Sequence, residues 1–272
     1  MISHKIFLTT EDVQKKELDI LLAFDSFCKE RNIEYSLAGG SLLGAIRHKG
    51  FIPWDDDIDV CLSRPSYDSL IRQQGLLKKM SGFSLEGYLG IDLDQAPFLK
   101  LVNHRLNSHS LHEHFKSHVG IDIFPVDALP NDCFEIKNMY NRAGRYRTCI
   151  GIANTSSTGM ESSWKKIILS AFPDWLRSKL ILRYSKKLNK LNHSYLYGTT
   201  TNVGVLAWGQ YGLGEKMNMD EFEKKILVEF EGLKLPAMSC WESYLKGLYG
   251  DYLALPPEED RLGHQPRIWL EK

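Results

Sequence analysis

The stretch that most constrains the fold is residues 39–62, Gly-Gly-Ser-Leu-Leu-Gly-Ala-Ile-Arg-His-Lys-Gly-Phe-Ile-Pro-Trp-Asp-Asp-Asp-Ile-Asp-Val-Cys-Leu. It reads as a glycine turn, a short helix, a loop and an acidic strand. Side chains on a strand alternate faces. Asp57 and Asp59 therefore project to one side, while Ile58, Val60 and Leu62 enter a core on the other. Two carboxylates held side by side repel each other and raise each other's pKa, a conflict that a cation between them removes. A hard divalent ion with oxygen ligands, Mg²⁺ first and Mn²⁺ second, suits such a pair.

The glycines belong to the same device. Gly39 and Gly40 allow a tight turn and close approach to a ligand. Ser41 is placed to cap the helix that Leu42, Leu43, Ala45 and Ile46 continue. Unpaired N–H groups at a helix start form an anion site. A phosphate cradle just upstream of a metal-binding Asp-x-Asp strand is what an enzyme handling a nucleoside di- or triphosphate needs. Gly-Gly-Ser alone is a common turn and Asp-x-Asp alone a common solvated strand end; their succession in this order is the specific signal.

Around this stretch the chain alternates helix and strand. Thr9 or Thr10 before Glu11 and Asp12 signals the start of a helix over 10–31. A short strand over 33–38 leads into the glycine turn, Arg64-Pro65 ends the acidic strand, and a helix over 66–79 follows. Strands are expected at Phe83–Leu89, Phe98–Asn103 and Val119–Phe124. In the last of these Asp122 faces away from Val119, Ile121 and Ile123, and Gly120 leaves room for a neighbour. Asp127, past Pro125, is expected to order a turn or cap a helix. Lys100 lies in the apolar run Pro97–Val102, where an unpaired ammonium is costly; it either meets a phosphate or carboxylate, or snorkels from a strand edge. Arg47 either folds back to a phosphate with its forked donors or makes a surface salt bridge. Five histidines (104, 109, 112, 114, 118) fall within fifteen residues. His112 and His114 alternate and can share a metal, but no Cys or matched second pair supports zinc, so a polar loop is the expectation.

The stretch Leu37–Val60 resembles the signature of the LicD family, phosphotransferases with a nucleotidyltransferase-type fold. Val119-Gly-Ile-Asp-Ile-Phe-Pro-Val-Asp127 resembles the family's second acidic strand, and Tyr249-Gly-Asp-Tyr-Leu-Ala-Leu-Pro-Pro257 its closing motif. The likeness covers residues 10–130 and 215–265 and does not extend to 131–210. It implies an α+β fold: a nucleotidyltransferase-like mixed β-sheet core flanked by helices, with a helical annex in the C-terminal half. The implied division is a catalytic core over 1–130, an annex over 131–214 and a C-terminal segment over 215–272 returning to the core. It implies too that Asp122 joins Asp57 and Asp59 as catalytic and metal-binding carboxylates. The implied reaction moves a phospho-alcohol, typified by phosphocholine from CDP-choline, onto a hydroxyl of a cell-surface glycan precursor such as lipopolysaccharide, teichoic acid or capsule, releasing CMP. Gly39, Gly40, Ser41, Arg47 and Lys100 would hold the phosphates. Tyr249 and Tyr252, in a clasp stiffened by glycine and proline, would line the donor head group or the acceptor, as a cation cage if the head group is a quaternary ammonium, or simply pack on the sheet. A nucleotidyltransferase that moves the NMP uses the same carboxylates, and a silent scaffold of glycan assembly is the reading from outside enzymes; three carboxylates aimed at one point argue against the scaffold.

Charge and cysteines set the surroundings. Lys plus Arg and Asp plus Glu both number 34, so the 272-residue chain has zero formal net charge and no global attraction to nucleic acid. Five cysteines without a Cys-x-x-Cys pair argue against a disulfide framework or a cysteine zinc site and for a reducing cytosol. The N-terminus lacks an apolar run of signal-peptide length, and no stretch approaches a membrane span, so a cytoplasmic protein is expected. The window 164–192 carries eight Lys or Arg against one acid, Asp174, interleaved with apolar residues and broken near Pro173. It reads equally as a peripheral contact with the inner membrane surface and as an ordinary solvated helix face. Residues 199–213, with Trp208 and Tyr211, suit a loop that closes over a ligand. Lys225–Leu235 suits a strand pair or extended arm before Pro236 and a last helix over 239–249.

Overall fold

The computed structural model describes residues 5–87, 97–109, 114–115, 117–156, 172–261 and 267–271. After strand β1 (Lys5–Phe7), helix α1 (Thr10–Arg31) starts at a reciprocal cap: Thr9 Oγ1 accepts from the Asp12 N–H at 3.2 Å, and the Asp12 carboxylate accepts from the Thr9 N–H at 3.1 Å. Its face of Ile20, Leu21, Phe24, Phe27 and Cys28 is buried in the main core. Asn32, in the left-handed conformation at φ 50°, ends it.

The chain then runs through β2 (Ser36–Leu37), α2 (Gly39–Arg47), β3 (Asp59–Ser63), α3 (Arg64–Arg72), α4 (Gln74–Ser81), β4 (Ser84–Glu86), β5 (Leu99–His109) and β6 (Ser117–Leu129). Helices α5 (Cys133–Asn154) and α6 (Asp174–Asn192) follow, then β7 (Asn202–Gly204), β8 (Lys216–Asn218), α7 (Met219–Glu223), β9 (Lys225–Phe230), β10 (Leu233–Met238), α8 (Trp241–Tyr249) and β11 (Arg267–Glu271). Among the described residues the strands form one sheet in the order β1-β11-β5-β6-β3-β2-β10-β9, with β4 on β5 and β7 bridging β6 and β8. Its pairs are antiparallel except β3 with β6 and β10 with β2, so the sheet is mixed. Ile58, Val60, Leu62, Leu99, Ile121 and Ile123 are fully buried in the main core, whereas α5 and α6 close a second cluster with Leu129 and Leu206.

Several boundaries differ from the sequence expectation. The helix over 66–79 is two helices that divide at Gln73, and Pro65 sits in the first turn of α3, where a missing N–H leaves nothing unpaired. Strand β6 continues through Pro125 to Leu129 instead of stopping at Phe124. Asp127 is thus not a turn or cap residue: it is buried, and Arg64 Nε and Nη2 donate to its two oxygens at 2.6 and 2.9 Å. Pro236 lies inside β10 opposite Leu227, and the last helix starts at Trp241. Within 164–192, residues up to 171 lie outside the described part, and Arg177 leaves the basic face. Its guanidinium is buried, donating to the carbonyls of Phe172, Ala153 and Thr155.

Candidate active site

One cross-strand row gathers the polar residues. Asp59 on β3 is in register with Asp122 on β6, Asp122 with Lys100 on β5, and Lys100 with Glu86 on β4. The next row along, Val60, Ile123 and Leu99, is fully buried, as strand alternation requires. Neighbouring strands lie about 4.8 Å apart, so Asp59 and Asp122 sit side by side. Lys100 Nζ reaches Asp122 Oδ1 at 3.1 Å, which places the lysine on a carboxylate. Gly120 permits the tight pairing, since a Cβ there would come within 2.1 Å of the Leu101 carbonyl oxygen.

The glycine turn serves this row directly. Gly39 has φ +47°, and a Cβ on it would lie 2.4 Å from Asp59 Oδ2. The Gly40 N–H donates to that same oxygen at 3.2 Å, and the Gly39 N–H donates to the Tyr244 hydroxyl at 3.4 Å. The first donors of α2 therefore hold the protein's own carboxylate and a tyrosine. Ser41 is not the cap: Ala38 occupies that position, and the buried Ser41 hydroxyl accepts the Asp59 N–H at 2.8 Å. Burial pushes the Asp59 carboxyl well above its ordinary range, and the charges of Asp57, Asp122 and Asp55 push it further, with the Gly40 N–H opposing.

Two carboxylates escaped the sequence reading. A Cβ on Gly40 would meet Asp55 Oδ2 at 2.8 Å, so Asp55 also faces this helix start; the alternation 55, 57, 59 was available as its signal. Glu17 on α1 is 2% exposed, and among the described residues its Oε2 has no hydrogen-bond partner. Burial raises its pKa well above the ordinary value, then the charge of Asp57, with Lys100 opposing and Asp122 and Asp56 adding. Its signal was a charge on the apolar stripe Val13, Glu17, Ile20, Leu21, Phe24.

The remaining expected residues divide. Tyr249 faces the aspartates: burial first, then the charge of Asp59, raises its hydroxyl pKa, and its ring meets Tyr211 edge-on at 5.5 Å. Tyr252 instead meets Trp241 edge-on at 6.4 Å. Arg47 does not reach back to the turn, because eight residues of helix separate it from Gly39 by about 12 Å. Its Nη1 donates to the carbonyls of Tyr252 and Ala254 at 3.0 and 3.1 Å, tying the clasp to α2. His112 lies outside the described residues, and His114 Nε2 pairs with Asp174 at 2.7 Å. Among the described residues one trio of potential ligands comes within 4.8 Å of one another, and it is Glu86, His104 and His118, not the aspartates.

An all-oxygen set with four aspartates and an orphaned, buried glutamate oxygen fits a hard divalent cation better than it fits any neutral ligand. A family model described as "LicD/FKTN/FKRP, nucleotidyltransferase domain" matches residues 32–148. The lipopolysaccharide cholinephosphotransferase LicD of Haemophilus influenzae is 31% identical over 263 residues, 94% of this chain and 96% of the relative. The uncharacterized proteins RP689 of Rickettsia prowazekii and RT0683 of Rickettsia typhi are 55% identical over 31 residues, 11% of this chain and 12% and 10% of theirs.

Proposed function

Because this chain belongs to the LicD family, we propose that it is a LicD-like phosphotransferase, moving phosphocholine from CDP-choline to a hydroxyl of a lipopolysaccharide or similar cell-surface glycan precursor and releasing CMP. The observation that supports this most is the row Asp59–Asp122–Lys100 with Asp57, Asp55 and Glu17 near enough to act on it by charge, an excess of carboxylates on one small area. We take its core as a nucleotidyltransferase-like unit over 1–130, completed by 215–272, with 131–214 as an annex.

In this reading Asp57, Asp59 and Asp122 hold Mg²⁺ or Mn²⁺, which when bound neutralises the donor diphosphate and lowers the pKa of the attacking hydroxyl. The Gly40 N–H holds the Asp59 carboxylate, and the Ser41 hydroxyl holds the Asp59 backbone N–H. Asp122 accepts the hydroxyl proton, and Lys100 beside it balances negative charge and reaches a donor phosphate. Tyr249 and Tyr211 offer aromatic faces to a quaternary ammonium, and Arg47 fixes the clasp that carries Tyr249. We place the protein in the cytoplasm, with Lys179, Arg183, Lys186 and Lys190, exposed on α6, resting against the anionic inner face of the membrane.

Transfer of the NMP instead of the head group is the second reading, since it uses the same carboxylates. Incubation with CDP-linked alcohols, Mg²⁺ and glycan precursor separates them: CMP is the expected small product, and pyrophosphate release from a nucleoside triphosphate with no CMP from any donor would overturn the first reading.

A further inference from the structure

The proposed reaction assigns no role to the histidine-rich segment, yet the sheet brings two of its members to one point. Between Val102 opposite Gly120 and Asn107 opposite His118, β5 advances five residues while β6 advances two. That irregularity brings His104 over His118, their rings 4.8 Å apart and nearly perpendicular. Glu86, at the end of the polar row on β4, completes the group: its Oε1 lies 2.8 Å from His118 Nδ1 and 3.3 Å from His104 Nδ1.

We propose that Glu86, His104 and His118 form a second metal centre, selective for a borderline divalent transition ion, zinc first, and separate from the aspartate row. Two imidazole nitrogens and one carboxylate oxygen are the donors such ions prefer, whereas Mg²⁺ prefers oxygen alone. Both Nδ1 atoms already point at one oxygen, and zinc–ligand bonds of about 2.0–2.1 Å require ligand atoms only slightly farther apart than these. The Glu86 side chain is 7% exposed and therefore fixed, while those of His104 and His118, 39% and 30% exposed, leave one side open to entry and to a water as fourth ligand. Asp122 lies two strands from Glu86, about 10 Å, too far to share the ion. Occupied, the centre would pin β4, β5 and β6 together beside Asp122 and Lys100.

The test uses the full chain, stripped with chelator and titrated with Co²⁺ and then Zn²⁺. Expected are visible bands of four-coordinate, nitrogen-ligated cobalt saturating at one ion per chain, bleached by Zn²⁺ and not by excess Mg²⁺. His104→Ala and His118→Ala, at partly exposed positions, should keep the wild-type fold by circular dichroism but weaken Zn²⁺ binding by at least about 100-fold and abolish the rise in thermal midpoint that Zn²⁺ gives the wild type. Asp59→Asn should change none of this. Cobalt bands absent from the wild type, bands unchanged in both histidine variants, or bands lost in Asp59→Asn would each overturn the proposal.

Discussion

A methyl group added at Gly39 would sit 2.4 Å from Asp59 Oδ2 on a backbone at φ +47°, so Gly39→Ala must displace the carboxylate or unwind the helix start. We expect it to destabilise by about 1–3 kcal/mol and to abolish most activity, read by denaturant melts beside CMP release. Asp57→Asn, Asp59→Asn and Asp122→Asn should each leave a folded chain, since relieving crowded charge does not loosen the core, but lower kcat/KM by at least about 100-fold. Near-normal turnover in Asp122→Asn, with normal Mg²⁺ dependence, would remove that residue from the site. Glu215, behind the tyrosine clasp, gives a pH signature: burial, opposed by N–H groups of Tyr211 and Gln210 and by Arg147, raises its pKa from 4.5 to about 7. Between those values the folded state keeps a proton that the unfolded state has lost. Stability therefore falls as pH rises through that window and levels off above it, by up to about 3 kcal/mol. Glu215→Gln should remove that part of the fall in melts from pH 4.5 to 7.5, and an identical slope in both proteins would contradict the assignment.

At the scale of elements, the Arg64–Asp127 pair joins the start of α3 to β6 inside the core. Arg64→Met leaves a buried carboxylate alone and should destabilise by about 3–5 kcal/mol, while Arg64→Met with Asp127→Leu should recover much of it. Pro125 concealed this pair from the sequence: a proline reads as a strand end, yet β6 runs on through it in parallel register with Leu62. The acidic strand was legible in part, because a period of two sorts Asp59 from Val60 and Leu62 without tertiary information, whereas β3 begins only at Asp59 and leaves Asp57 and Ile58 before it. The cap of α1 was legible for a similar local reason. Glu17, the register of Lys100 with Asp122, and the meeting of Glu86, His104 and His118 were not, because each depends on how elements distant in sequence pack or slip. The bonds of Arg47 were not legible either, since its partners Tyr252 and Ala254 are more than two hundred residues away in sequence.

For the whole molecule, zero net charge means that attraction to a membrane has to come from a local face. No helix among the described residues is long and apolar enough to cross a bilayer. If α6 supplies the contact, wild type should bind phosphatidylserine vesicles at low salt and lose them as salt rises. Lys179→Glu, Arg183→Glu, Lys186→Glu and Lys190→Glu together should release it while CMP formation from soluble substrates continues; equal partition of both proteins would rule out this face. The measurement that tests the catalytic account most directly is donor labelling. With CDP-choline carrying one isotope in choline and another in cytidine, together with Mg²⁺ and glycan precursor, the account predicts choline label in the glycan and cytidine label in free CMP, both lost in Asp59→Asn. Cytidine label in the glycan, or equal transfer by Asp59→Asn, would contradict it.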